Sequence, residues 1–232
     1  MLKADFHIHT KEDKNDKFVI RYNSKELIDH AAKKGFDVLA LTYHGQFSYN
    51  EELANYAREK GILLIPGIES YIKGRHVIIL NTTKEAEKIN TFEELREFKR
   101  SNPEIFIIAP HPYYPRSNCL QKEFLSNIDV FDGVEYCHYY CRGYNPYNKK
   151  AIKVAKKHNK TVVGTSDAHW LFQFNKTYSL VDAEKSIKGV MDALRQGKVE
   201  VKTKPLSYLK CSFIALLLII NGIRKIIKRN LQ

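Results

Sequence analysis

The feature that most constrains this chain is where its histidines and acids fall. Short apolar runs alternate with segments of helical period, and nearly every run ends in an imidazole or a carboxylate. Residues 4–10 (ADFHIHT) alternate as a strand does and carry His7 and His9, and 36–42 (FDVLALT) is followed at once by His44. The run 62–68 (ILLIPGI) leads to Glu69, and 105–109 (IFIIA) to His111. Residues 130–136 (VFDGVEY) contain Glu135 and precede His138, while 161–165 (TVVGT) precede Asp167 and His169. Burying so many ionisable groups without partners is prohibitive, so the pattern does not describe an ordinary core. Parallel β/α units bring the carboxyl ends of their strands to one face, where such groups converge. With further runs at 76–80 and near 179–181, about seven strands alternating with helices fit a closed barrel better than an open sheet.

The helical segments carry their own boundaries. Asn23 or Ser24 opens a helix over 24–34 that Gly35 stops, and a second covers 50–60 before Gly61. Thr91-x-x-Glu94 is a capping box for a helix to about Arg100. Two more are expected over 147–158 and over 184–196, the latter ended by Gly197. At 232 residues, 44% hydrophobic and 28% charged, the chain can bury one full core, which excludes a disordered or fibrous class.

Imidazoles and carboxylates converging on one face are metal ligands. The mixture suits Zn²⁺, Mn²⁺ or Fe²⁺ rather than the all-oxygen surroundings of Mg²⁺. Five or more imidazoles exceed the needs of one tetrahedral ion, so a multinuclear cluster is expected. His7-x-His9 sets two rings on the same side of a strand, about 7 Å apart along the chain, and Asp167-x-His169 repeats that spacing.

The set Asp5-Phe-His7-Ile-His9-Thr10, Leu41-Thr42-Tyr43-His44, Gly67-Ile68-Glu69, Ala109-Pro110-His111-Pro112 and Gly164-Thr165-Ser166-Asp167-Ala168-His169 resembles the PHP (polymerase and histidinol phosphatase) family over about residues 1–200. The resemblance implies a distorted (β/α)7 TIM-like barrel with two or three divalent ions, hydrolysing phosphate esters through a metal-bridging hydroxide and no protein nucleophile. It implies a first metal on His7, His9, Glu69 and Asp167, a second shared by Glu69 with His111 and His138, and a third on His44 and His169. The third also needs an acid from the loop after Thr10; Lys14 and Asn15 stand where the family places it, which leaves Asp13 or Asp16. Tyr43 is a departure, since the family commonly has Asp there, and a phenol offers no charge to orient a ligating imidazole.

Arg116 and Arg142 follow the His111 and His138 segments and are candidate phosphate clamps, with Arg21 and Arg75 weaker on the same logic. His30 and His158 are expected on helix surfaces, and His76 beside the pocket but outside the ligand set. Cys137 and Cys141 flank His138 and read as small apolar residues. Five tyrosines between Tyr136 and Tyr147, together with Trp170 and Phe172, could wall the pocket for a planar group, which tilts the substrate toward nucleotides.

The net charge of +12 is unevenly spread. Residues 198–232 hold eight Lys or Arg against one acid, and the other 197 hold 30 against 25. A uniformly basic nucleic-acid binder is not described by that split. A barrel over 1–204 and a basic, apolar tail over 205–232 are expected. From Cys211 to Ile223 no residue is charged, but thirteen residues make a helix of roughly 20 Å, short of the ~30 Å hydrocarbon core. The tail, 206–232, is expected either on an anionic membrane surface or packed on protein. Asp5 comes before any apolar stretch a secretory signal needs, and the four cysteines are too scattered for a disulfide framework. A reducing cytoplasm, with peripheral membrane contact through the tail, is the expected setting. The sequence therefore reads as a metal-dependent phosphoesterase for a small phosphorylated substrate such as a nucleotide. An exonuclease on nucleic-acid ends and a non-catalytic metal-binding module held at a membrane are the alternatives.

Overall fold

A computed structural model of the chain describes residues 1–217. Its helices begin where the capping chemistry dictates. Asn23 accepts from the Glu26 amide at 2.8 Å while Glu26 accepts from the Asn23 amide at 2.7 Å, and α1 runs Ser24–Lys33. Asn50 caps α2 (Glu51–Glu59), and Thr91 with Glu94 forms the same reciprocal box for α3 (Phe92–Ser101). A short α4 (Lys122–Ser126), α5 (Pro146–Lys157) and α6 (Ile187–Arg195, capped by Ser186) complete the set before a C-terminal helix that begins at residue 208.

Ten strands are described: β1 (Leu2–Ile8), β2 (Val38–Leu41), β3 (Leu63–Leu64), β4 (Gly67–Ile72), β5 (Arg75–Leu80), β6 (Phe106–Ala109), β7 (Gly133–Cys137), β8 (Thr161–Thr165), β9 (Thr177–Val181) and β10 (Val199–Thr203). They form two five-stranded sheets, β10-β9-β1-β2-β3 and β4-β5-β6-β7-β8. The fold is mixed α/β, and among the described residues no closed barrel forms. The reason lies in two breaks. The expected strand 62–68 is interrupted by Pro66, which has no N–H to give to a ladder, so β3 stays on β2 while β4 turns away. Lys73 (φ 47°) and Gly74 (φ 73°) then close a tight hairpin that pairs β4 with β5 antiparallel. At the other junction β9 pairs antiparallel with both β1 and β10, and among the described residues β1 joins the end of the second sheet by the Ile8–Ala168 bridge just beyond β8 rather than by a ladder. β10 has no counterpart among the expected elements, because its two charged positions hide the apolar run that marks the others.

Period two on β1 does the positioning. Ala4 and Phe6 enter an apolar cluster with Val38, Ile78, Phe106 and Val163, while Asp5, His7 and His9 occupy the alternate positions and are also fully buried.

The C-terminal segment packs on the loop after β7. The Leu206 amide donates to the Tyr140 carbonyl at 2.9 Å, Tyr208 to that of Arg142 at 2.6 Å, and Tyr139 to that of Cys211 at 3.1 Å. Cys141 and Cys211 are joined in a disulfide, against the expectation that the cysteines stay unpaired. Seventy residues separate them in sequence, but these backbone contacts bring their Cα atoms to 6.7 Å. Cys119 and Cys137 are free and buried. Of the tail expected over 205–232, residues 218–232 lie outside the described residues, and among those described no helix is long and apolar enough to cross a membrane.

Gly164 holds the two sheets together. Its amide and carbonyl both bond the Ser179 hydroxyl at 3.0 Å, and a Cβ there would stand 2.7 Å from the Tyr178 carbonyl oxygen. Gly164→Ala should cost about 1–3 kcal/mol of stability, read from the urea midpoint; an unchanged midpoint would contradict this packing.

Candidate metal centre

Residues on or just beyond seven of the ten described strands form one buried cluster. β1 supplies His7 and His9, the loop after it Asp13 and Asp16, the end of β2 His44, and β4 Glu69. β5 adds His76, the turn after β6 His111, β7 Glu135, and the turn after β8 Asp167 and His169. Glu69, 1% exposed, is the centre of the arrangement. His7 and His111 present Nε2 to its Oε1 at 3.4 Å, and His9 and His44 present Nε2 to its Oε2 at 3.5 and 3.1 Å.

At His7 and His9 two classes of contact separate. On the Nδ1 side the rings make hydrogen bonds: His7 with Glu135 at 2.7 Å, and His9 and His44 with the same Asp13 oxygen at 2.8 Å. On the Nε2 side the contacts lengthen. His7 and His9 each lie 3.5 Å from Asp167 Oδ1, whereas His169 Nε2 hydrogen-bonds Asp16 at 3.3 Å. Two ligands each about 2.1 Å from a tetrahedral ion stand about 3.4 Å apart, which is the spacing of this second class. Nε2 of His7, Nε2 of His9 and both oxygens of Glu69 are buried without a hydrogen-bond partner, a costly arrangement that a shared cation relieves. His76 Nδ1 reaches Glu69 Oε1 at 2.7 Å, though without the alignment of a hydrogen bond. Four sets of donors lie within 4.8 Å of one another: His9, Asp16, His44 and His169; His7, His9 and Glu69; His7, His111 and Asp167; and His44, Glu69 and His76. The residues fit divalent metal ions.

The loop acids divide the work that the sequence left open between them. Asp16 faces His44 at 3.1 Å and His169 at 3.3 Å, inside a donor set. Asp13 sits behind the rings, where one oxygen accepts from Nδ1 of both His9 and His44 and from the His44 amide at 3.0 Å. It supplies the charged acceptor that Tyr43 cannot. Tyr43 points elsewhere, its hydroxyl on Thr10 and on Ser24 at 2.9 Å.

Other expectations are revised. His138 is buried on the same cavity but joins none of the donor sets, because the Gln173 side-chain amide occupies its Nε2 at 3.1 Å. His76, expected outside the ligand set, lies in one of the four donor sets. The hairpin register explains this, since Tyr71 pairs with His76 and Glu69 with Ile78, so Glu69 and His76 share a face. Glu135 carries more than its strand-end position suggests. It accepts from His7 Nδ1, from the His111 amide at 2.6 Å and from Thr165, and so fixes the His7 ring and the backbone that carries His111. Asp5 accepts from the His7 and Ser166 amides at 3.3 and 3.0 Å, tying β1 to the Asp167 turn. Arg116 lines the mouth of a cavity of about 570 Å³ over the cluster, whereas exposed Arg142 does not line it. Of the expected aromatic wall only Tyr139 and Trp170 reach the cavity, joined by Tyr71 and Tyr114.

The electrostatics follow from burial opposed by counter-charge. Burial alone would lower the His7 and His44 rings, but Glu69 and its fellow acids outweigh it, lifting His7 well above the usual imidazole range and His44 to about 10. Burial would raise Glu69, yet His76, His7 and His44 hold it well below the carboxylate range. Burial prevails at His76 and His138, both pushed down to about 4, and at Asp5, raised to about 7. His111 (φ 30°) and Asp167 (φ 43°) adopt left-handed backbone that non-glycine residues seldom take, and both belong to the donor sets.

A family profile described as PHP-associated matches residues 145–199. The chain superposes on a two-domain Bacteroides vulgatus protein containing a predicted PHP-like metal-dependent phosphoesterase, with TM-score 0.63, 22% identity, and 87% of this chain and 64% of that one covered. It thus spans less than two thirds of that protein. It also superposes on PsfC of Pseudomonas syringae, with TM-score 0.64, 15% identity, and 95% and 98% of the two chains covered. An uncharacterised protein of Methanocaldococcus jannaschii is 29% identical over 163 residues, 67% of this chain and 93% of that protein. Fold and cluster define an α/β protein whose buried centre can hold divalent metals. The resemblance carried by the strand-end motifs is supported by the PHP-associated match over residues 145–199 and by a fold shared with a protein that contains a predicted PHP-like phosphoesterase.

Two outcomes follow for metal binding. Asp13→Asn should lower metal affinity about 10–100-fold, while Tyr43→Phe, which leaves the ring nitrogens oriented, should change it less than about threefold; equal losses would contradict the division of roles. Because His7, His44, His111 and His169 bind protons more tightly than a free imidazole, metal must displace protons. Calorimetry in buffers of different ionisation enthalpy should show proton release, and affinity should fall as pH drops from about 8 to 6.

Proposed function

We propose that this protein is a metal-dependent hydrolase of phosphate esters, acting on a small phosphomonoester or nucleotide at a two- or three-metal centre. The observation that carries the reading is Glu69, buried with both oxygens lacking hydrogen-bond partners between four imidazoles that come from the ends of three strands. His7, His9, Glu69 and Asp167 would hold one ion, and Glu69 would share a second with His111. His44, His169 and Asp16 would hold a third, with His76 beside Glu69 as a further donor. Bound there, such ions supply Lewis-acid stabilisation of a phosphoryl group and lower the pKa of water.

The chain's own groups prepare the rest. Glu135 and Asp13 fix the ring orientations through Nδ1, so that Nε2 faces the cavity. Arg116, exposed at the mouth, is suited to clamp a phosphate bidentately, and Trp170 and Tyr139 to flank a planar group. No protein nucleophile is assigned. Cys137 is buried, which pushes its thiol well up, and Cys119 Sγ lies against His111 Nδ1 at 3.2 Å as a support for that ring. The idea of a non-catalytic module leans on Tyr43, and Asp13 removes that ground by supplying the missing charge.

Hydrolysis of phosphomonoesters, nucleotides and short oligonucleotides, with Mn²⁺ or Zn²⁺ added, is the test. Turnover should fall by at least about 100-fold in His7→Ala/His9→Ala. Arg116→Ala should raise KM by about tenfold with kcat little changed, as expected for loss of a charge-assisted phosphate contact. A metal-loaded protein that turns over none of these substrates would overturn the proposal.

A further inference from the structure

The exposed apolar side chains are not scattered. Ten large hydrophobic residues are exposed among those described, and six of them, Phe18, Leu171, Tyr208, Leu209, Phe213 and Leu216, belong to three segments that border one opening. Val19, Trp170 and Ile214, their neighbours in sequence, line the cavity over the metal cluster. Singly exposed apolar residues are ordinary, but a collection around one mouth marks a surface that something covers. The C-terminal helix is fastened there. The Cys141–Cys211 disulfide and the Tyr139 hydroxyl on the Cys211 carbonyl hold its inner side, while Leu209 is 81% exposed. Phe213 lies 6.3 Å, centre to centre, from Phe172, itself 6.2 Å from Trp170.

Charge selects the occupant. Lys17 stands 5.1 Å from the Phe18 ring and Lys210 5.8 Å from the Phe172 ring, placing ammonium groups beside the apolar rim. Fifteen residues continue beyond the described structure. They hold Arg224, Lys225, Lys228 and Arg229 among six Leu or Ile side chains by position 227, and no acid at all. Basic residues interleaved with long aliphatic ones match a surface that is anionic outside and hydrocarbon beneath. A nucleic acid would satisfy the charge and leave the apolar rim in water. A protein partner would have to set acids among apolar side chains on one face, whereas an anionic bilayer presents that combination over its whole surface.

We propose that the rim formed by Phe18, Leu171 and the outer face of the C-terminal helix, together with the basic tail, docks the protein on an anionic membrane surface with the cavity mouth toward the bilayer.

The test is sedimentation of the full chain with vesicles of phosphatidylcholine alone and of phosphatidylcholine containing phosphatidylglycerol. Binding should be at least about tenfold stronger to the anionic vesicles and should weaken at least about tenfold in high salt. Leu209→Ser/Phe213→Ser/Leu216→Ser should reduce it by a similar factor while the melting temperature stays that of the parent. Arg224→Glu/Lys225→Glu/Lys228→Glu should do the same without touching the apolar face. Absence of vesicle binding, equal binding to neutral and anionic vesicles, or undiminished binding by the serine variant would each overturn the proposal. So would light scattering that shows a dimer converted to monomer by the serine substitutions, since the face would then belong to a second copy of the chain.

Discussion

Everything in this structure is arranged around a carboxylate that ought not to be where it is. Glu69 is removed from water with neither oxygen hydrogen-bonded, and it is tolerated because five imidazoles surround it. Such a group costs several kcal/mol if left uncompensated. Imidazoles alone are poor compensation, since each must take up a proton against burial to become a counter-charge. Cations shared among the Nε2 atoms and the acids would resolve the conflict for all of them at once. The left-handed backbone at His111 and Asp167 is consistent with the same demand, for both residues are bent out of common conformations to join the cluster.

The two-sheet architecture serves that centre. A continuous barrel would carry Glu69 on a strand parallel to its neighbours. Here the break at Pro66 and the β4–β5 hairpin instead bring a second strand, with His76, to the same side as Glu69. Period-two alternation on β1 feeds apolar side chains to one cluster and Asp5, His7 and His9 to the other face, so one strand serves core and site together.

Much of this is legible in the sequence. Helix starts follow from single capping residues, and Asn23 and Thr91 act as their chemistry requires. Strand-end motifs carry the family resemblance and single out His7, His9, His44, Glu69, His111, Asp167 and His169, which the fold brings together. What escapes is information that resides in register and turn geometry. Lys73-Gly74 marks a tight hairpin, and reading it as one would have aligned His76 with Glu69. The roles of Asp13 and Asp16 depend on the path of a loop with no periodicity to interpret. Glu135 is visible as an acid inside an apolar strand, but its service to His7, His111 and Thr165 needs three other elements in place. Strand count alone suggests a closed barrel, because it does not distinguish antiparallel additions such as β9 and β10 from parallel ones. The Cys141–Cys211 pair is invisible to spacing because a long detour through the body separates two segments that end side by side.

The claim on which the account stands is that Glu69 is a common ligand for more than one ion. Metal content after reconstitution and exhaustive dialysis, determined by mass spectrometry for the parent chain and for Glu69→Gln, tests it directly. Two or three ions per chain in the parent, and one or none in the variant, are predicted. A single ion in the parent, or an undiminished count in Glu69→Gln, would contradict it.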